Sequence, residues 1–89
     1  MKDIIYVEHK NFVSVKETSL CFMNVVNQTE KYIPIEEIGM LIFDNIDSYF
    51  SNRVIIECVK NDIGLIFCDI NHSPIAEIHS NFSHRKKLQ

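Results

Sequence analysis

The sequence predicts an α+β fold, mainly β, with about seven strands and one amphipathic helix. Three observations lead there. Short runs rich in Ile, Val, Phe and Leu recur along the chain, parted by polar clusters. One stretch, Phe50 to Lys60, changes to a helical period. Two nearly continuous apolar runs flank it, which predicts strands covered on both faces.

Residues 4–7 and 12–15 are β-prone, and Glu8-His9-Lys10-Asn11 lies between them as a polar turn. They read as a hairpin. Val13 and Val15 alternate with Ser14 and Lys16, so one face of the second strand is buried. Residues 20–26 form a third strand, and Lys31 to Ile35 a fourth. Pro34 cannot donate to a ladder, so the fourth strand is expected to be short or at an edge. The first third is therefore a β-meander. Ile38–Phe43 is the next strand, and Asp47 or Ser48 is the expected N-cap of the helix. Phe50, Val54 and Cys58 share one face of that helix, with Ile55 and Val59 beside them. Asn61 and Gly64 are the expected left-handed stops. Leu65–Cys68 follows, so strand, helix and strand predict a parallel pair with a right-handed crossover. A last strand spans about 75–79. The expected core is Val13, Val15, Leu20, Phe22, Leu41, Phe43, Val54, Cys58, Leu65 and Phe67.

Length fits one domain of 89 residues. No run approaches the ~18 apolar residues of a membrane span. The N-terminus lacks a basic head followed by a long apolar stretch, so a cytoplasmic protein is expected. Cys21, Cys58 and Cys68 sit in apolar runs without a CxxC pair and read as buried reduced thiols. Nine Lys and Arg face twelve Asp and Glu, net −3. Arg85, Lys86 and Lys87 supply three of those cations, so residues 1–84 carry net −6. That balance excludes a domain that grips nucleic acid through a broad basic face.

No complete active site emerges. His9, His72, His79 and His84, with Asp69 before His72, lack the short fixed spacings of a zinc site, and surface or turn histidines are the plainer reading. Cysteines in core runs are poor thiolates. No serine sits in a G-x-S-x-G elbow, and Gly39 and Gly64 are isolated, so no phosphate loop is present. Glu36-Glu37 reads as a solvated turn. The strand Gly64 to Asp69 lacks the basic, aromatic pattern of an RNA-recognition domain. His84-Arg85-Lys86-Lys87 reads as a solvated tail, with weak, salt-sensitive phosphate contact as the alternative.

The ordered elements carry a family resemblance. Ile35-Glu36-Glu37-Ile38-Gly39-Met40-Leu41-Ile42-Phe43-Asp44-Asn45 resembles an "L-x-E-I-x-x-L-L-I-E-N" run. Gly64-Leu65-Ile66-Phe67-Cys68-Asp69, then His72-Ser73-Pro74-Ile75-Ala76-Glu77, resembles "I-x-V-I-F-C-D-x-x-H-x-P-x-A-E". With the opening Ile/Val-rich strand, the His9-Lys10 turn and Ser83-His84-Arg85, the whole chain resembles the N-terminal β-domain of the CRISPR-associated integrase, the Cas-one protein of spacer acquisition, in its type II form. The resemblance implies a strand-rich domain over residues 1–79. It also implies a basic linker beginning at 80–89, toward a C-terminal catalytic helical domain absent from this chain. In that family a Glu, a His and an Asp of the catalytic domain hold a divalent metal, Mg or Mn. The resemblance therefore implies no catalytic residue, metal ligand or cofactor in this chain. Its implied role is dimerisation and placement of a DNA end, with other CRISPR adaptation proteins as partners and no membrane.

Carried over by position, His9 matches a site that can stack on a terminal base pair, which needs only a flat face. Lys10 beside it is a candidate phosphate contact. Arg53, Arg85, Lys86 and Lys87 are further candidate DNA contacts. The alternative is a stand-alone protein–protein interaction module sharing the fold, which the acidic body and absent site favour.

Overall fold

The computed structural model describes residues 2–79. The strands are β1 (Asp3–Val7), β2 (Asn11–Lys16), β3 (Ser19–Asn24), β4 (Glu30–Pro34), β5 (Ile38–Phe43), β6 (Tyr49–Phe50), β7 (Gly64–Cys68) and β8 (Pro74–Ile78). A single helix, α1 (Asn52–Lys60), lies between β6 and β7, and a short 3-10 turn (Ile35–Glu37) precedes β5. The fold is α+β and mainly β, as the sequence predicts.

Two four-stranded sheets make up the body. The first has the order β1-β5-β7-β8 and the second β4-β3-β2-β6. In the first, β1 and β7 both run parallel to β5, and β8 closes antiparallel on β7. The strand–helix–strand unit is thus a parallel pair, as expected. In the second sheet, β2, β3 and β4 form an antiparallel meander. Val7, Leu41, Phe43 and Leu65 of one sheet meet Val13, Leu20 and Phe22 of the other in one cluster. Helix α1 adds Val54 and Cys58, both fully buried.

Several expectations are corrected. β1 and β2 do not form a hairpin. β1 pairs with β5 and β2 with β3 and β6, so Glu8-His9-Lys10 crosses between sheets. Local pattern fixes which residues are strands, but burial against distant partners chooses the pairing. The described residues form eight strands, in keeping with the expected number of about seven. One of them, β6, takes Phe50 out of the helical stripe and pairs it with Val13. There Phe50 meets Phe43 and Phe67 at ring-centroid separations of 5.1 and 6.0 Å, more contact than an early helical turn would give it. The N-cap is consequently Ser51, not Asp47 or Ser48.

The third strand ends at Asn24 rather than Val26. The Asn24 side-chain oxygen accepts from the Val26 and Asn27 amides at 3.0 and 3.2 Å, which turns the chain. Helix α1 ends at Asn61, whose side-chain amide donates to the Glu57 carbonyl at 2.8 Å. The left-handed residue is Asp62 (φ 57°), while Gly64 opens β7. Neither Asn61 nor Gly64 plays that part.

Of the expected core, Val15 and Phe67 are only partly buried, and the other eight residues are buried. Val7, Ile35, Ile38 and Ile63 join them. Cys68 is half-buried, unlike Cys21 and Cys58. β5 and β7 are not covered on both faces. Met40, Ile42 and Ile66 are half-buried on the face turned away from the second sheet. Gly39 sits at a bulge where β5 has one residue more than β1. This puts Ile38 and Leu41, three apart, both inside. A Cβ on Gly39 would stand 3.1 Å from the Lys2 Cβ, which explains the small residue.

Candidate nucleic-acid interface

The C-terminal ends of the parallel strands β1, β5 and β7 lie at one end of the molecule. The His9-Lys10 corner follows β1 there. Its backbone is held from three sides. The His9 carbonyl accepts from Asn11 Nδ2 at 2.8 Å and from Ser48 Oγ at 3.0 Å. Ser48 Oγ in turn accepts from the Asn11 amide at 3.0 Å. The Lys10 carbonyl accepts from the Val25 amide at 2.9 Å. Both side chains are exposed. An exposed imidazole on a fixed backbone loses little freedom when it meets a flat surface.

The adjoining strand ends are acidic. The Asp44 amide donates to the Val7 carbonyl at 3.0 Å, which sets the β5 end directly against this corner. Asp44 Oδ1 contacts His72 Nδ1 at 2.8 Å. Asp69 organises the β7–β8 turn. Its Oδ1 accepts from the Asn71 and Ser73 amides at 2.9 and 3.1 Å, and its carbonyl from the His72 amide at 2.9 Å. His72 adopts a left-handed backbone (φ 64°) in that turn. The D-x-x-H-x-P pattern in the sequence is therefore a turn, tied to β5 by an imidazole–carboxylate contact. Asp44 is the residue the sequence reading missed. The signal was only its place at the end of an apolar strand, which does not name a partner 28 residues away.

Arg53 is exposed in the first turn of α1. The Ser51 amide before it donates to the Val13 carbonyl at 3.2 Å. Arg53 thus follows an anchor on β2, four residues past His9 in sequence. Arg85, Lys86, Lys87 and the 80–89 linker lie outside the described residues.

Chemistry elsewhere is sparse. Burial, with a smaller effect from the Glu57 carboxylate, pushes the Cys58 thiol up to about 12. Partial burial and then the carboxylates of Asp44 and Asp69 raise that of Cys68. Both stay protonated at neutral pH, the poor state for a nucleophile. Among the described residues no group of three or more His, Cys, Asp or Glu is arranged to hold a metal ion. No helix among them is long and apolar enough to cross a membrane.

No known family profile and no curated protein matches the chain. Solved structures do match its fold. A Cas1 protein from Thermotoga maritima superposes with a TM-score of 0.74 at 14% identity, covering 86% of this chain and 24% of that one. TtCas1 in complex with DNA gives 0.73 at 13% identity, covering 88% and 28%. A partial Cas6-RT-Cas1–Cas2 complex gives 0.81 at 7% identity, covering 96% and 25%. The chain thus spans about a quarter of the length of each. At these identities the likeness is one of fold: the chain has the architecture of one domain of the Cas1 chains, as the sequence resemblance implies.

Proposed function

We propose that this chain is the dimerising, DNA-end-positioning domain of a CRISPR spacer-acquisition integrase, acting in antiviral defence. The observation that carries the proposal is the fold shared with Cas1 chains, one of them solved on DNA. The fixed, exposed His9-Lys10 corner supports the DNA part of it. The chain carries no catalysis of its own on this reading. Strand cutting and joining, and the Mg or Mn ion they require, belong to the remainder of such an integrase. Its partners are a second copy, DNA and other CRISPR adaptation proteins, in the cytoplasm.

The acidic strand ends beside the corner limit what Lys10 can add. End recognition therefore rests on stacking by His9 rather than on charge. Removing a stacked ring costs roughly 1–3 kcal/mol per base, or about five- to 150-fold in affinity. His9→Ala is expected to weaken binding to a short blunt duplex by that factor, measured by fluorescence anisotropy at low salt. His9→Phe, which keeps a flat ring, is expected to restore it. No affinity for duplex ends in the wild type, or equal affinity in His9→Ala, would sink the DNA reading. The interaction-module reading would then lead, favoured by the net −6 of residues 1–84 and the partly uncovered outer face of the first sheet.

A further inference from the structure

We infer that the outer face of the second sheet is a track for single-stranded DNA, on which bases stack on Tyr49 and Tyr32 and phosphates meet Lys10 and Lys16. The inference rests on the DNA reading above and extends it from the duplex end to the unpaired strand beside it.

Alternation along β2 and β3 defines this face. Val13, Leu20 and Phe22 point into the core, so Phe12, Ser14, Cys21 and Met23 point the other way. Cross-strand register sets Tyr49 of β6 beside Phe12, and Tyr32 of β4 beside Cys21. Tyr49 is 48% exposed and Tyr32 53%.

Both rings are held in place. Tyr49 stacks on Phe12, with ring centroids 5.0 Å apart and planes 30° from parallel. β6 is an edge strand, so no strand stands on the other side of Tyr49. A base set there continues a stack already begun. The Tyr32 hydroxyl donates to Glu30 Oε1 at 3.2 Å. It also meets the Cys21 thiol, which is only 2% exposed although it faces away from the core. The Tyr32 ring is thus laid over Cys21 rather than loose in solvent. A ring fixed in this way loses little freedom on stacking. Tyr32 stands three strands from Tyr49, so the two rings serve different bases.

Charge on this face runs against that of the body, in which residues 1–84 carry net −6. Lys16 follows Phe12 along β2 at even spacing and shares its face. The Lys10 carbonyl, accepting from the Val25 amide, prolongs the β2–β3 ladder, so Lys10 precedes Phe12 on the same face. Among the outward residues of β2, β3, β4 and β6 the one carboxylate is Glu30, at the β4 edge and engaged by Tyr32. Flat rings set among lysines hold unpaired strands with little regard to sequence. The face also adjoins the proposed end site, because Ser48, which holds the His9 carbonyl, immediately precedes Tyr49.

The test is fluorescence anisotropy of a labelled oligothymidylate of about twelve nucleotides, titrated with the whole chain at low salt. Tyr49→Leu and Tyr32→Leu keep apolar bulk without a flat ring, and each is expected to weaken binding about fivefold or more. Tyr49→Phe and Tyr32→Phe are expected to stay within about threefold of wild type. Lys16→Ala, at an exposed residue, is expected to lower the salt slope of the logarithm of affinity by about 0.7. Far-ultraviolet spectra separate lost stacking from lost folding, and the lysine slope decides if a leucine variant unfolds. A wild type that binds a blunt duplex but no oligothymidylate overturns the track and leaves the end reading standing. One that binds oligothymidylate but no duplex end overturns the end reading alone. Oligothymidylate binding indifferent to both leucine variants and to Lys16→Ala overturns the assignment to this face. An oligouridylate bound about tenfold tighter or more overturns DNA as the ligand.

Discussion

Cys58 has no exposed surface and lies where α1 meets the sheets. Its thiol is held up to about 12, chiefly by burial. An unfolded thiol ionises near 8.5. Below that pH both states keep the proton, so the contribution of Cys58 to stability is fully present. Above it the unfolded chain ionises first and the contribution is lost as pH rises toward about 12. Stability is expected to fall by at most about 1.4 kcal/mol per pH unit in that window. Comparing urea unfolding of wild type and Cys58→Val from pH 8 upward checks this. An equal slope in both would remove Cys58 as the cause. This thiol was legible from sequence, because an i, i+4 position on a helical stripe is a core position. The Asp44–His72 contact was not, because only tertiary pairing of β5 with β7 brings those residues together.

Helix α1 starts without help. Ser51 has extended backbone angles suited to an N-cap, yet its hydroxyl makes no capping bond, and no acidic residue occupies the first turn. Ser51→Asp is expected to stabilise the protein by about 0.5–1 kcal/mol, through an accepted amide bond and the helix dipole. Thermal unfolding at neutral pH measures it, and no gain would mean that another group already serves those amides. The element also shows how far periodicity reaches. The sequence places Val54 and Cys58 on the buried face because four-residue spacing repeats along one side. Phe50 fits the same spacing and is nonetheless in β6. A four-residue interval cannot distinguish a helix residue from one just before it, and ring packing against Phe43 and Phe67 decided the matter.

Across the molecule, burial is uneven. β3 and β5 lie inside their sheets and carry buried Leu20, Cys21, Phe22, Ile38, Leu41 and Phe43. β8 is an edge strand with four of its five residues exposed. Amide hydrogen exchange is expected to be slowest in β3 and β5 and faster by orders of magnitude in β8. Uniform protection across all strands would contradict that ranking.

The sequence alone determined the class of the protein. Strand-length apolar runs and one helical stripe set a small mainly β domain, and the ordered motifs pointed to the Cas1 fold. These are local properties, carried by spacing and composition. Only the tertiary structure decided that β1 leaves its sequence neighbour for β5 and that His9 and Lys10 stand on a corner between sheets. Strand pairing is a contest among distant surfaces for burial, and the period of two that marks a strand says nothing about which strand will lie beside it.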